Sequence, residues 1–310
     1  MKEASLQPED FPPIPLEDWE ETKMTLHLFL QIAGKIRLKL MPRKNHWWHA
    51  TLYISARGIT TGPMPCRNQT LELHFNFTDH ELEIIASQGK SRQIPLVEGL
   101  SVAQFYQQVF SALQELGCET KILARPYDLP VKTPFAQDRE HHHYNPEKVH
   151  KHWRVLTHID QILKEFSGRF YGKTCPVQLY WHHFDLTVTR FSGKKVPVNP
   201  DASIVEKDAY SHEVISFGFW FGDEVVREPA FYAYVAPSPK GLENEKLEPK
   251  AAKWVDSNGS PMAFLTYENL RKEPDPKQAL LDFLESAYQA GAKLANWPIE
   301  EWTVAPLNKL

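Results

Sequence analysis

The chain has 310 residues, 42% of them hydrophobic and 24% charged, with 35 basic against 39 acidic side chains and a net charge of −4. Those proportions exclude wholesale disorder, and the missing basic excess argues against a nucleic-acid partner. Cys66, Cys118 and Cys175 are odd in number, widely spaced and without a C-x-x-C pair, which excludes a complete disulfide framework and a thiolate zinc cage. Residues 1–10 carry no apolar h-region, and the most apolar stretch, 26–34, is far shorter than the ~20 residues a spanning helix needs. A reduced, cytoplasmic protein with no membrane partner is expected.

In chain order, Phe11-Pro12-Pro13-Ile14-Pro15 is an extended lead-in, and Asp18 with Glu21 reads as a capping box. Apolar residues at helical spacing predict a helix to about residue 40. Strands are expected at 47–55, 70–77, 81–86 and 92–96, with a turn at 78–80. Ser101 and Gln104 form a second capping box, Gly117 is the natural stop, and a strand over 118–124 closes the unit.

A Pro- and His-rich connector covers 126–146. Asn145-Pro146 then opens a helix to about 170. Strands are expected at 177–190, 214–221, 230–236 and 262–266, with a charged loop at 237–250. Asp275-Pro276 starts the final helix. Both halves read helix, strands, helix, and an offset of 134 pairs Trp47 with Trp181 and His49 with His183. The expected class is α+β, with two pseudo-repeated helix–antiparallel strands–helix units whose sheets are covered by helices. The units are assigned as 11–125, a connector at 126–146, 147–296, and a tail at 297–310.

Four clusters carry chemistry. In Asn45-His46-Trp47-Trp48-His49, strand alternation would turn His46 and His49 to opposite faces, so only a loop or bulge lets them share an ion. In Trp181-His182-His183-Phe184-Asp185, the carboxylate of Asp185 can orient an imidazole, and Arg190 beyond it can clamp an anion. His212 beside Glu213 is an acid–base or ligand pair if the segment is a loop. His141, His142 and His143 form a connector cluster that often binds metal adventitiously. G-x-S-x-G, Walker and H-E-x-x-H motifs are absent.

These segments, with Leu16-Glu17-Asp18-Trp19, Phe184-Asp185-Leu186, Thr189-Arg190-Phe191-Ser192-Gly193, Tyr210-Ser211-His212-Glu213 and Glu228-Pro229-Ala230-Phe231-Tyr232, resemble an uncharacterised bacterial domain-of-unknown-function family of about 300 residues. The resemblance covers nearly the whole chain and implies no activity. Asp138, Arg139, His141 and Tyr144 also match its pattern, whereas His182-His183 depart from a more usual Gly-Ser.

The reading favours an enzyme on a small polar or anionic substrate, with His212, Glu213, Asp185, Arg190 and His49 as its catalytic candidates. His46, His49, His141 and His212 are the metal candidates, for Zn, Fe or Mn. A small-molecule ligand is the expected partner. The alternative is a non-catalytic ligand-binding or scaffold protein in which the same histidines and carboxylates make structural hydrogen bonds. Oligomeric state is left open.

Overall fold

A computed structural model describes residues 6–197 and 199–305. The first elements are α1 (Glu20–Leu40), β1 (Tyr53–Ser55), β2 (Gly58–Thr60), β3 (Met64–Cys66), β4 (Gln69–Asn76), β5 (Glu81–Ala86), β6 (Ser91–Pro95) and α2 (Val102–Glu115). Next come α3 (Pro146–Ser167), β7 (Lys173–Thr174), β8 (Gln178–Tyr180), β9 (Asp185–Lys195), α4 (Ile204–Ala209), β10 (His212–Trp220) and β11 (Ala230–Ala236). The chain ends through β12 (Lys253–Ser257), β13 (Ser260–Thr266), α5 (Tyr267–Leu270), α6 (Pro276–Leu294) and α7 (Ile299–Trp302). Helices beside two antiparallel sheets make the class α+β, as expected.

The chain divides into two compact units, and α3 runs through the boundary. One holds Glu17–Thr157 with Gln178–Phe184; the other holds the residues up to Leu16, His158–Val177, and those from Asp185 on. Trp181 and His183 therefore share a unit with Trp47 and His49, their partners at the offset of 134. Of the expected tail, residues 306–310 lie outside the described residues.

In the first unit the sheet runs β1-β2-β4-β5-β6, with β3 also on β4. Its strands alternate cleanly. Leu71, Leu73 and Phe75 of β4 and Leu82 and Ile84 of β5 are buried, while Glu72, His74, Glu81 and Glu83 between them are only half-buried. The apolar side meets α1 and α2, where Phe29 stacks on Phe105 at 4.0 Å and Phe75 lies 6.1 Å from Phe105. The other side carries a polar face. Ser101 and Gln104 cap α2 reciprocally, as their spacing predicts.

α1 also buries a polar stripe. His27 Nε2 lies 2.9 Å from the Trp181 carbonyl oxygen, and Gln31 exchanges two hydrogen bonds with the Tyr127 backbone. Burial, with Lys23 adding to it, pushes the His27 pKa from 6.5 down to about 3. Between those values the unfolded chain binds the extra proton, so this contribution to stability is full above pH 6.5 and is lost as pH falls toward 3. His27→Gln keeps an N–H for the carbonyl and removes the titration. The variant is expected to lose less stability than wild type between pH 7 and pH 4, read by urea denaturation.

In the second unit the sheet path is β12-β13-β11-β10-β9-β7. Its apolar face meets α3 and α6: Phe166 lies edge-on to Phe217 at 4.8 Å, and Gly291 sits against Val235 and Ile215. Asp275 caps α6 by accepting from the Gln278 N–H, with Pro276 at the first helical position.

Several local expectations are corrected. Asn45–Trp47 is a 3-10 turn with positive φ at His46 and Trp47, so no strand runs through 47–52. α1 starts at Glu20 with no side-chain cap, because Leu16–Asp18 forms its own 3-10 turn. Residues 118–124 pair with no strand. The expected strand 177–190 breaks between β8 and β9, where Phe184 takes φ 58. The expectation of a reduced protein is also corrected: Cys66 and Cys118 form a disulfide across 52 positions. The turn after α2, closed by Gly117 N–H to the Gln114 carbonyl and Cys118 N–H to the Leu113 carbonyl, lays Cys118 against the β3 edge. Cys175 is a buried thiol whose pKa burial raises to about 11.

Candidate functional site

The polar face of the first sheet is ordered by register. One row runs Ser55, Gly58, Asn76, Glu81; the next runs Tyr53, Thr60, His74, Glu83. Ser55 and His74 lie two strands apart, with β2 between them, so their side chains must meet across that strand. Gly58 stands between them. A Cβ there would fall 1.7 Å from the Phe75 carbonyl oxygen, so no other residue fits this close approach to β4. Gly58→Ala is expected to shift the β1–β2 hairpin and cost about 1–3 kcal/mol, read from denaturation midpoints. It should also part Ser55 from His74.

Across this face a continuous relay forms. Ser55 Oγ lies 2.7 Å from His74 Nε2, and His74 Nδ1 lies 2.8 Å from Glu83 Oε2. An ionised carboxylate only accepts, so Nδ1 carries the proton and Nε2 accepts from the Ser55 hydroxyl. Burial works to raise the Glu83 pKa, but hydrogen bonds from His74 and from Asn76 Nδ2, at 3.2 Å, outweigh it and hold the carboxyl below its ordinary value. Asn76 in turn bonds Asp79, with which Arg57 pairs. The Arg57 backbone N–H points at Ser55 Oγ from 3.4 Å. The His74 side chain is 12% exposed, so the imidazole is shielded without being sealed.

The residues singled out from the sequence fall elsewhere. His46 is buried in the Asn45–Trp47 turn against Trp48, and His49, buried just beyond that turn, has Nδ1 within 3.1 Å of the Lys44 carbonyl oxygen. His141 Nδ1 donates to Asp138 at 2.8 Å; the buried carboxylate also accepts the Glu140 and His141 backbone N–H groups, a local loop staple. In the second unit His212 meets Ser211 Oγ at 3.1 Å, and burial together with Lys173 and Lys195 lowers its pKa. Glu213 points away, accepting from Trp297 Nε1 at 3.0 Å. Asp185 and Arg190, five apart on β9, face opposite sides of the sheet. Asp185 accepts from the Tyr232 hydroxyl at 2.6 Å, while Arg190 is buried among Phe166, Phe170 and Tyr288. Among the described residues no group of three His, Cys, Asp or Glu side chains is placed to hold a metal ion, so the expected histidine convergence does not form.

The relay escaped sequence reading because its members come from three strands with no motif. One signal was available. His74 and Glu83 are the polar alternates of two adjacent strands whose turn fixes their register.

The molecule is thus an α+β protein with a serine–histidine–carboxylate relay on an open sheet face. Residues 11–304 match the Family of unknown function (DUF5996), and the chain belongs to that family. No curated protein and no solved structure matches it. No helix among the described residues is long and apolar enough to cross a membrane.

Proposed function

We propose that the protein is a hydrolase of small acyl esters, with Ser55 as nucleophile, His74 as general base and Glu83 as the group that orients His74. What supports the reading is the unbroken hydrogen-bonded order of hydroxyl, imidazole and carboxylate, at 2.7 and 2.8 Å. Serine is a weak nucleophile at its own pKa and needs such a base. In this mechanism His74 Nε2 takes the hydroxyl proton as Ser55 Oγ bonds the acyl carbon. The Arg57 N–H meets the oxyanion that forms beside it. The same proton then passes to the leaving alkoxide, and the alcohol departs. Water then attacks the acyl carbon as His74 takes its proton, the bond to Ser55 Oγ breaks with that proton passing to Oγ, and the carboxylic acid leaves. Glu83 stays ionised, fixes the tautomer and stabilises the imidazolium. The chain's net charge of −4 fits a small-molecule substrate better than a nucleic acid.

Hydrolysis of short-chain p-nitrophenyl esters tests this. Ser55→Ala is expected to reduce kcat to the background rate, and His74→Ala to cost about 10²–10⁴-fold. Equal rates for wild type and Ser55→Ala would sink the reading.

A further inference from the structure

A cavity of about 650 Å³ runs along α2, against the 3-10 turn Phe135–Gln137. Steps of three and four residues lay Ala103, Gln107, Phe110 and Gln114 along one side of the helix, beside the buried stripe of Phe105, Val109 and Ala112. Tyr106 and Phe110 are half-buried in its wall with their rings 4.6 Å apart, and the buried Phe135 backs Tyr106 at 6.3 Å. Burial raises the Tyr106 pKa, so its hydroxyl keeps a proton to donate.

Arg139 lines the cavity where α2 begins, and its loop is pinned there. The Ala103 N–H donates to the Asp138 carbonyl at 2.8 Å, and the Val102 N–H to the His141 carbonyl at 3.0 Å. The Asp138 carboxylate next to it is buried and turned to the Glu140 and His141 N–H groups and the His141 ring. Among the described residues the exposed Arg139 guanidinium pairs with no carboxylate, and no acidic side chain lines the cavity. In a chain of net charge −4, this cavity is locally positive.

An aromatic wall with a guanidinium at one end matches a flat apolar body that carries an anionic head. The volume lies within the ~300–1,000 Å³ of small-molecule sites. A single cation among neutral amides selects a monoanion, whereas an acidic peptide or a nucleic acid would call for several. We propose that this cavity binds a small aromatic carboxylate, with its ring against Tyr106 and Phe110 and its carboxylate on Arg139. The site does not rest on the Ser55 reading, because α2 covers the apolar side of the sheet and the relay lies on the polar side.

Isothermal titration with 2-naphthoate and with the uncharged 2-naphthalenemethanol tests this on wild type, Arg139→Gln, Phe110→Ser and Ser55→Ala. Wild type and Ser55→Ala are expected to bind one equivalent of 2-naphthoate alike, about tenfold more tightly than the alcohol. Arg139→Gln should lose that preference and leave the affinity for the alcohol unchanged, which damage to the fold would not do. Phe110→Ser should weaken both probes. No binding to wild type, equal affinity for acid and alcohol, or an undiminished preference in Arg139→Gln would overturn the proposal. Loss of binding in Ser55→Ala would move the ligand to the relay and overturn it as well. So would a wild type that sediments as a dimer while Phe110→Ser sediments as a monomer, since a second copy would then cover this face.

Discussion

Replacing Cys66 and Cys118 together by serine is expected to lower the unfolding free energy of the oxidised protein by about 4 kcal/mol. The bond closes a loop of 52 positions, and cross-linking a loop of that size removes this much chain entropy from the unfolded state. Guanidinium denaturation with and without reductant measures it. Wild type in reductant should fall to the level of the double variant, and the variant should be indifferent to reductant. A reductant-insensitive wild type would show that the two sulfurs are not bonded in solution.

The second large effect is at Arg190. Its guanidinium lies 3.7 Å over the Phe166 ring, 4.3 Å from Tyr288 and 4.9 Å from Phe170, and Nη2 donates to the Phe166 carbonyl at 2.7 Å. Burial pushes its pKa down to about 10, against the partial support of Glu285. Truncation to alanine empties the space between three rings, and ~3–5 kcal/mol is expected to be lost. Methionine fills most of that space without a charge to desolvate, so Arg190→Met should cost under about 1.5 kcal/mol. Arg190→Lys should fall between the two, since a point-charge ammonium cannot use the planar stacking. That order, read from urea midpoints, identifies a structural cation. A loss of ester hydrolysis in a stable Arg190→Met protein would instead restore the anion clamp expected from the sequence.

Local signals were legible wherever the chain settles its own geometry. Ser101 with Gln104, Asn145-Pro146 and Asp275-Pro276 marked helix starts, and alternation in 70–77 and 81–86 gave β4 and β5 within a residue. Failures came where distant groups decide. Trp47-Trp48 and their neighbours have strand propensity, but positive φ at His46 and Trp47 makes a turn of them. The Cys66–Cys118 bond depends on a helix end meeting a sheet edge, which no spacing reveals. Reading candidates from clusters of adjacent residues favoured His212-Glu213, whose side chains point apart. The Ser55–His74–Glu83 relay needed register across four strands, which only the folded sheet supplies.

The most direct measurement is labelling with a fluorophosphonate, which forms a phosphonyl ester only with an activated serine and expels fluoride. Intact protein should take up one equivalent, peptide mapping should place it on Ser55, and His74→Ala and Glu83→Gln should label at least about a hundredfold more slowly. Labelling elsewhere, no labelling, or an equal rate in His74→Ala would contradict a nucleophilic role for Ser55.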